Sequence, residues 1–191
     1  MSRIYIAGPL FNAPERSELD QIAAVLEGAG HTCFLPHRDG MNIAALAAEM
    51  KRQVAPLATV RKTVLRAVFD LDMHMLLERS DIIVASLNGR VPDEGTIAEA
   101  AAAWHARIPV VLYKSDSRMV MQGGDNPLLV GLTDFTVAPS IAALPQAVAE
   151  ELAANTDRVQ RAVTRGAAIA AARLATPDPV AFAALLLREF A

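Results

Sequence analysis

The segment Asp81 to Leu87, DIIVASL, constrains the fold more than any other stretch of the chain. Nearly every position in it is apolar, whereas a strand with one wet face would alternate. A run this short and this continuous reads as a strand buried on both faces. Such strands belong to parallel sheets, which need helices on both sides. The flanking sequence supplies that pattern. Arg3 to Ala7 reads as a first strand ending at Gly8-Pro9. Leu19, Ile22, Ala23, Val25 and Leu26 recur at helical spacing across residues 16–28, and Gly28 ends that helix. Thr32 to Leu35 reads as a second strand stopped by Pro36, and residues 41–78 as helix interrupted near Pro56. After DIIVASL, the third strand, Gly95-Thr96 opens a helix to about Ala106. Ile108 to Tyr113 is a fourth strand and Phe135 to Val137 a short fifth. Ser140 is placed to cap a helix to about Ala154.

Strands alternating with helices define an α/β domain around a doubly wound parallel sheet, assigned here to residues 1–154. Residues 155–191 differ. They are rich in Ala and Arg, with expected breaks at Gly166 and at Pro177-Asp178-Pro179. They are read as a C-terminal helical extension, packed on the domain or on a neighbouring subunit.

Composition then narrows the class. Of 191 residues 53% count as hydrophobic, but 37 of them are alanines, so the figure describes helical scaffold more than a large greasy core. No apolar run reaches the ~18 residues a membrane helix needs, and the N-terminus lacks the long apolar stretch of a signal peptide. The single cysteine, Cys33, suits a reducing cytoplasm. A net charge of −3 argues against a nucleic-acid backbone or an anionic membrane as partner. The chain has no GxGxxG and no Walker A sequence, His74 and His105 lack metal-type spacing, and no cofactor is called for.

In an open parallel sheet, ligands sit at the carboxyl ends of the strands where the strand order reverses. In the order 2-1-3-4-5 that point lies between the first and third strands, which directs attention to residues 8–16 and 87–99. The second segment holds Asp93, Glu94 and Glu99 within seven residues. Two readings of Glu99 stand side by side. Thr96 with Glu99 matches a capping box, a purely structural arrangement. Alternatively, a carboxylate in the first turn of a helix is held ionised by the helix dipole and is suited to attack an anomeric carbon. Asp93, beside Pro92 and Gly95, either stabilises the loop or accepts a hydrogen bond from a substrate hydroxyl. Asp72 lies on the helix before the third strand, either on a solvated face or as a functional acid. Gly8, Pro9 and Phe11 lie in the turn after the first strand. His37, Arg38, Asp39 and Gly40 form a polar turn at the mouth of the same region.

These stretches together resemble the nucleoside 2-deoxyribosyltransferase family. The matching pieces, in family order, are IYIAGPLFN (4–12), LPHRDG (35–40), the Asp72 helix, SDIIVASLNGRVPDEGTIAE (80–99), PVVLYKSDSR (109–118) and Asn126. The resemblance implies a flavodoxin-like sheet of order 2-1-3-4-5 and cleavage of an N-glycosidic bond. By it Glu99 is the nucleophile and Asp72 handles the proton of the nucleobase. Asp93 holds the sugar 5′-hydroxyl, Tyr5 orients the nucleophile, and Phe11, in the Gly8-Pro9 turn, lies along the base. Asn126 matches a residue lent to a neighbouring subunit's pocket, which implies a homo-oligomer with shared active sites. The implied partners are a small-molecule nucleoside and a free nucleobase. The chain departs from the family pattern at Ala101, where a glycine is usual. It departs again in the nine residues between Asp72 and Asp81, where eight is common and Asp70 is the neighbouring alternative. The competing expectations are an N-glycosidase that uses water as acceptor and a non-catalytic nucleotide-binding module.

Overall fold

The structure is a computed structural model. It describes the chain apart from residues 54–55, 90, 118–123, 155–156 and 190–191, so Arg90 and Arg118 lie outside the described residues. Four parallel strands, β1 (Arg3–Ala7), β2 (Thr32–Phe34), β3 (Ile82–Ser86) and β4 (Val110–Tyr113), form one sheet in the order β2-β1-β3-β4. The register pairs Tyr5 with Ile83 and Ala85 with Leu112. β3 is buried at all five positions, as its unbroken apolar sequence demands.

Helices cover both faces. On one, α1 (Ala13–Gly28) brings Leu19, Ile22, Ala23 and Leu26 onto Ile4, Ile6, Ile82 and Val84, and α7 (Leu144–Ala154) adds Leu144 and Val148. On the other, α4 (Leu57–Arg79) and α5 (Glu94–His105) bring Leu76, Ala100 and Ala103 onto Tyr5, Ala7, Ile83 and Ala85. Between β2 and α4 lie α2 (Pro36–Asp39) and α3 (Ile43–Arg52), and α6 (Pro127–Val130) follows β4. The small alanines of α5 let it lie close on the sheet, which accounts for part of the alanine excess.

Three expectations are corrected. The fifth strand is reduced, among the described residues, to one parallel bridge from Ala138 to Tyr113. Phe135 and the preceding Asp134 adopt left-handed backbone, φ 65° and 54°, which cannot continue a strand. Ala138 still docks beside β4, where a fifth strand of the expected order would lie. Ser140 precedes a short 3-10 turn, Ile141–Ala143, and makes no side-chain cap; the α-helix starts at Leu144. Gly166 does not break the extension: α8 (Arg158–Ala175) runs straight through it. A single glycine costs a helix only about 1 kcal/mol, and the surrounding alanines offset that.

The chain divides into two compact units, Met1–Asn155 and Thr156–Ala191. The second consists of α8 and α9 (Pro179–Glu189), separated by a turn in which the Arg173 guanidinium donates to Pro177 O and lies over the Phe182 ring. Among the described residues, no helix is long and apolar enough to cross a membrane.

Candidate active site

Tyr5 and Glu99 meet on the α4/α5 face of the sheet. The Tyr5 ring is fully buried in β1, and its hydroxyl donates to Glu99 Oε1 at 2.6 Å. Glu99 is the sixth residue of α5, one turn deeper than its sequence position suggested. The helix-dipole advantage fades past the first turn, so it does not set the charge of this carboxyl. Burial does, raising its pKa from 4.5 to about 7; the Tyr5 hydrogen bond opposes that rise, and the Asp72 and Asp93 charges reinforce it. Burial beside Glu99 likewise pushes the Tyr5 phenol upward, so it stays a donor.

The Thr96–Glu99 capping box is not formed. Asp93 is the N-cap, and its Oδ2 accepts from the Thr96 amide at 2.8 Å and from the Thr96 hydroxyl at 2.9 Å. The helix therefore starts earlier than Thr96, and Glu99 is released from cap duty. Gly95 makes room for this, since a Cβ there would stand 3.0 Å from Asp93 Oδ2.

Asp72 comes from α4. It is half-buried, and desolvation raises its pKa from 3.8 to about 6. It is close enough for its charge to act on both Glu99 and Tyr5. Asp70, two residues earlier, is exposed. The helix thus turns Asp72, not its neighbour, toward the site. Asp72 also borders a cleft of about 520 Å³ that Leu10, Arg16, Pro36 and Met41 help to line.

The turn after β1 is built for close packing. Gly8 is buried, and a Cβ on it would lie 2.5 Å from Leu19 Cδ2 and 3.2 Å from Ser86 Cβ. Pro9 follows it half-buried. A full capping box starts α1: Asn12 Oδ1 accepts from the Glu15 amide, and Glu15 Oε2 accepts from the Phe11 and Asn12 amides. The Phe11 side chain is left 76% exposed at the edge of this region. Asn126 stands apart. It caps α6, with Oδ1 accepting from the Leu128 amide at 3.0 Å, and is exposed. It does not border the cleft of its own chain. Ala101 is exposed.

Sequence reasoning missed two features. On the opposite face of the sheet, Glu18 accepts from the Asn88 amide group at 2.6 Å and from the Ser86 hydroxyl at 3.2 Å. Asn88 Oδ1 accepts in turn from the Ser115 and Asp116 amides, tying the loop after β3 to the loop after β4. No local motif announces it, because its members are scattered from residue 18 to 116. The second is Arg16, whose Nη1 donates to Leu10 O at 2.8 Å beside the cleft. Arg38, also on the lining of the cleft, is held by Glu27, Asp39 and Cys33 O. Among the described residues, no cluster of His, Cys, Asp and Glu is arranged to hold a metal ion.

A carboxyl raised toward neutrality by burial is thus hydrogen-bonded to a buried tyrosine and feels the charge of a second carboxyl beside the parallel sheet. The family pattern described as nucleoside 2-deoxyribosyltransferase matches residues 4–172, and the chain belongs to that family. No curated protein matches the chain. Among solved structures, a conserved protein from Enterococcus faecalis V583 is similar at 22% identity and TM-score 0.59, over 78% of this chain and 98% of that one. A 2-deoxyribosyltransferase from Leishmania mexicana is similar at 22% identity and TM-score 0.50, over 82% and 100%. A CMP N-glycosidase from Clostridium botulinum is 14% identical with TM-score 0.43, over 77% and 98%.

Proposed function

We propose that the protein transfers a 2-deoxyribosyl group from one nucleobase to another through a covalent intermediate on Glu99. The observation that carries this is the Tyr5–Glu99 hydrogen bond of 2.6 Å, with Asp72 coupled electrostatically to both. Ionised Glu99 attacks C1′ as the C1′–N bond breaks, and protonated Asp72 gives its proton to the departing base. In the second half, Asp72 takes a proton from an incoming base, whose nitrogen displaces Glu99 from C1′. Two inversions give net retention. Tyr5 orients the nucleophile and holds its second oxygen free to attack. Phe11 and the Gly8-Pro9 turn lie along the base.

Asp93 serves twice in this scheme. Oδ2 caps α5, and Oδ1 receives the sugar 5′-hydroxyl. A carboxylate at that point repels a 5′-phosphate dianion, so the substrate is a nucleoside. Asn126, which does not line its own cleft, completes the pocket of a neighbouring subunit in a homo-oligomer.

The test is incubation with a 2′-deoxynucleoside, with and without a second free base, followed by product analysis. Base exchange is expected. Free sugar and base in both mixtures would replace transfer by hydrolysis, and no turnover of any common nucleoside would leave the binding-module alternative. A fully active monomer in sedimentation would remove the role given to Asn126.

A further inference from the structure

The cleft beside Asp72 is lined by apolar side chains such as Leu10, Met41, Val68 and Leu71 and by the polar side chains of Arg16, His37, Arg38 and Asn42. Those polar groups are unevenly employed. Asn42 Oδ1 already accepts from the Ala45 amide at 3.0 Å. Pro36 O accepts from the Gly40 amide at 3.2 Å, and Leu10 O accepts from Arg16. His37 turns Nε2 to Asp20 Oδ1 at 2.9 Å, and its Nδ1 is shut off from solvent. Arg38 is occupied by Glu27 and Asp39. Each of these acceptors already takes one hydrogen bond from the protein, and Asp72 is the carboxylate on the lining.

Arg16 is the exception among the basic side chains of the lining, since His37 and Arg38 both face carboxylates. One guanidinium nitrogen is pinned to Leu10 O, which fixes the group against the turn. Among the described residues no carboxylate pairs with it. A guanidinium fixed on the lining with no carboxylate partner is placed to donate to an acceptor on the ligand. A guanidinium N–H matches the carbonyl oxygen of an oxo base, and with a 6-oxopurine a second N–H can reach N7, the pairing by which arginine reads guanine O6 and N7. An exocyclic amino group presents hydrogens instead and needs an acceptor.

We infer that Arg16 is a specificity-determining residue that selects bases carrying a ring carbonyl, 6-oxopurines and 4-oxopyrimidines, over their amino counterparts. The inference rests on the cleft being the nucleobase site of the proposed transferase. Asp72, the carboxylate of the lining, is engaged with the ring nitrogen in that scheme and is not available to an amino group.

Hypoxanthine and adenine share a ring system and differ at C6, so they isolate the effect. Two readouts are used: equilibrium binding of each free base by calorimetry, and its rate as acceptor with 2′-deoxyuridine as donor. Wild-type protein is expected to favour hypoxanthine by about tenfold or more in both. Arg16→Met keeps the apolar stem and removes the fork, and should bring the two bases within about threefold. Arg16→Lys keeps a cation able to reach Leu10 O, covers any folding defect of the first variant, and should retain only part of the preference. Equal or tighter adenine binding by the wild type would overturn the inference, as would a preference unchanged in both variants. If no base supports exchange, the proposed function fails, and the binding comparison still decides the role of Arg16.

Discussion

At the scale of single residues, the two carboxyls have opposite needs. Glu99 attacks as the anion and Asp72 acts as the acid, yet Glu99 titrates at about 7 and Asp72 at about 6. Activity therefore requires the less populated combination of charges and should follow a bell in kcat/KM, highest between about pH 6 and 7. The two apparent values belong to the pair, since each charge acts on the other. Asp72→Asn removes a negative charge that raises Glu99. Its residual activity should rise to a plateau at lower pH than in the wild type; a rising limb that does not move would show the two carboxyls to be uncoupled. The same shift acts on stability. Glu99 ionises near 4.5 in the unfolded chain and near 7 in the folded one, so between these values the folded state holds the extra proton and stability falls as pH rises. Glu99→Gln keeps an acceptor for Tyr5 and removes this penalty. It should abolish base exchange by at least about 10³-fold and stabilise the fold by on the order of 1–3 kcal/mol at pH 8, read from urea melts. Equal stability of variant and wild type at pH 8 would mean that burial does not penalise this carboxylate. The sequence made Glu99 visible through PDEGTxxE but not its charge, because burial depends on Tyr5, 94 residues away.

At the scale of elements, the strands and helices of both sheet faces were legible because β3 is continuously apolar and α1 is strictly periodic. What was not legible was decided by contacts distant in sequence. The fifth strand shrank to one bridge because Asp134 and Phe135 turn left-handed. The α5 cap moved from Thr96 to Asp93, three residues earlier. The β1–α1 turn is the element on which the site most depends, since Gly8 lets α1 approach the end of β3. Gly8→Ala would drive a Cβ into Leu19 and against Ser86. It should cost about 1–3 kcal/mol through overpacking, seen as a lower urea midpoint with an unchanged slope. The Leu10 part of the cleft lining should move with it, raising KM more than it lowers kcat. A variant as stable as wild type would show that α1 can retreat without strain.

At the scale of the whole molecule, the alanine excess separates scaffold from core. Every buried hydrophobic residue of the described chain lies between Ile4 and Val148. The unit Thr156–Ala191 has most of its alanines in α8, a long helix that buries none of its own residues. A unit of this size falls below the ~40 residues at which a domain folds alone without disulfides, metals or partners. A chain ending at Asn155 keeps both apolar clusters and all four strands, so it should melt cooperatively. A peptide of residues 156–191 should show partial, non-cooperative helicity that rises on cooling, as isolated alanine-rich helices do. Circular dichroism of the two pieces beside the intact chain makes the comparison. A truncated chain without a cooperative transition would show that the α/β unit needs the extension to fold. The family match reaches residue 172, well into α8, so base exchange by the truncated chain is the second measurement. Cooperative melting with lost exchange would place the extension in the working site rather than in the fold, whereas melting and exchange both kept would leave it outside the chemistry.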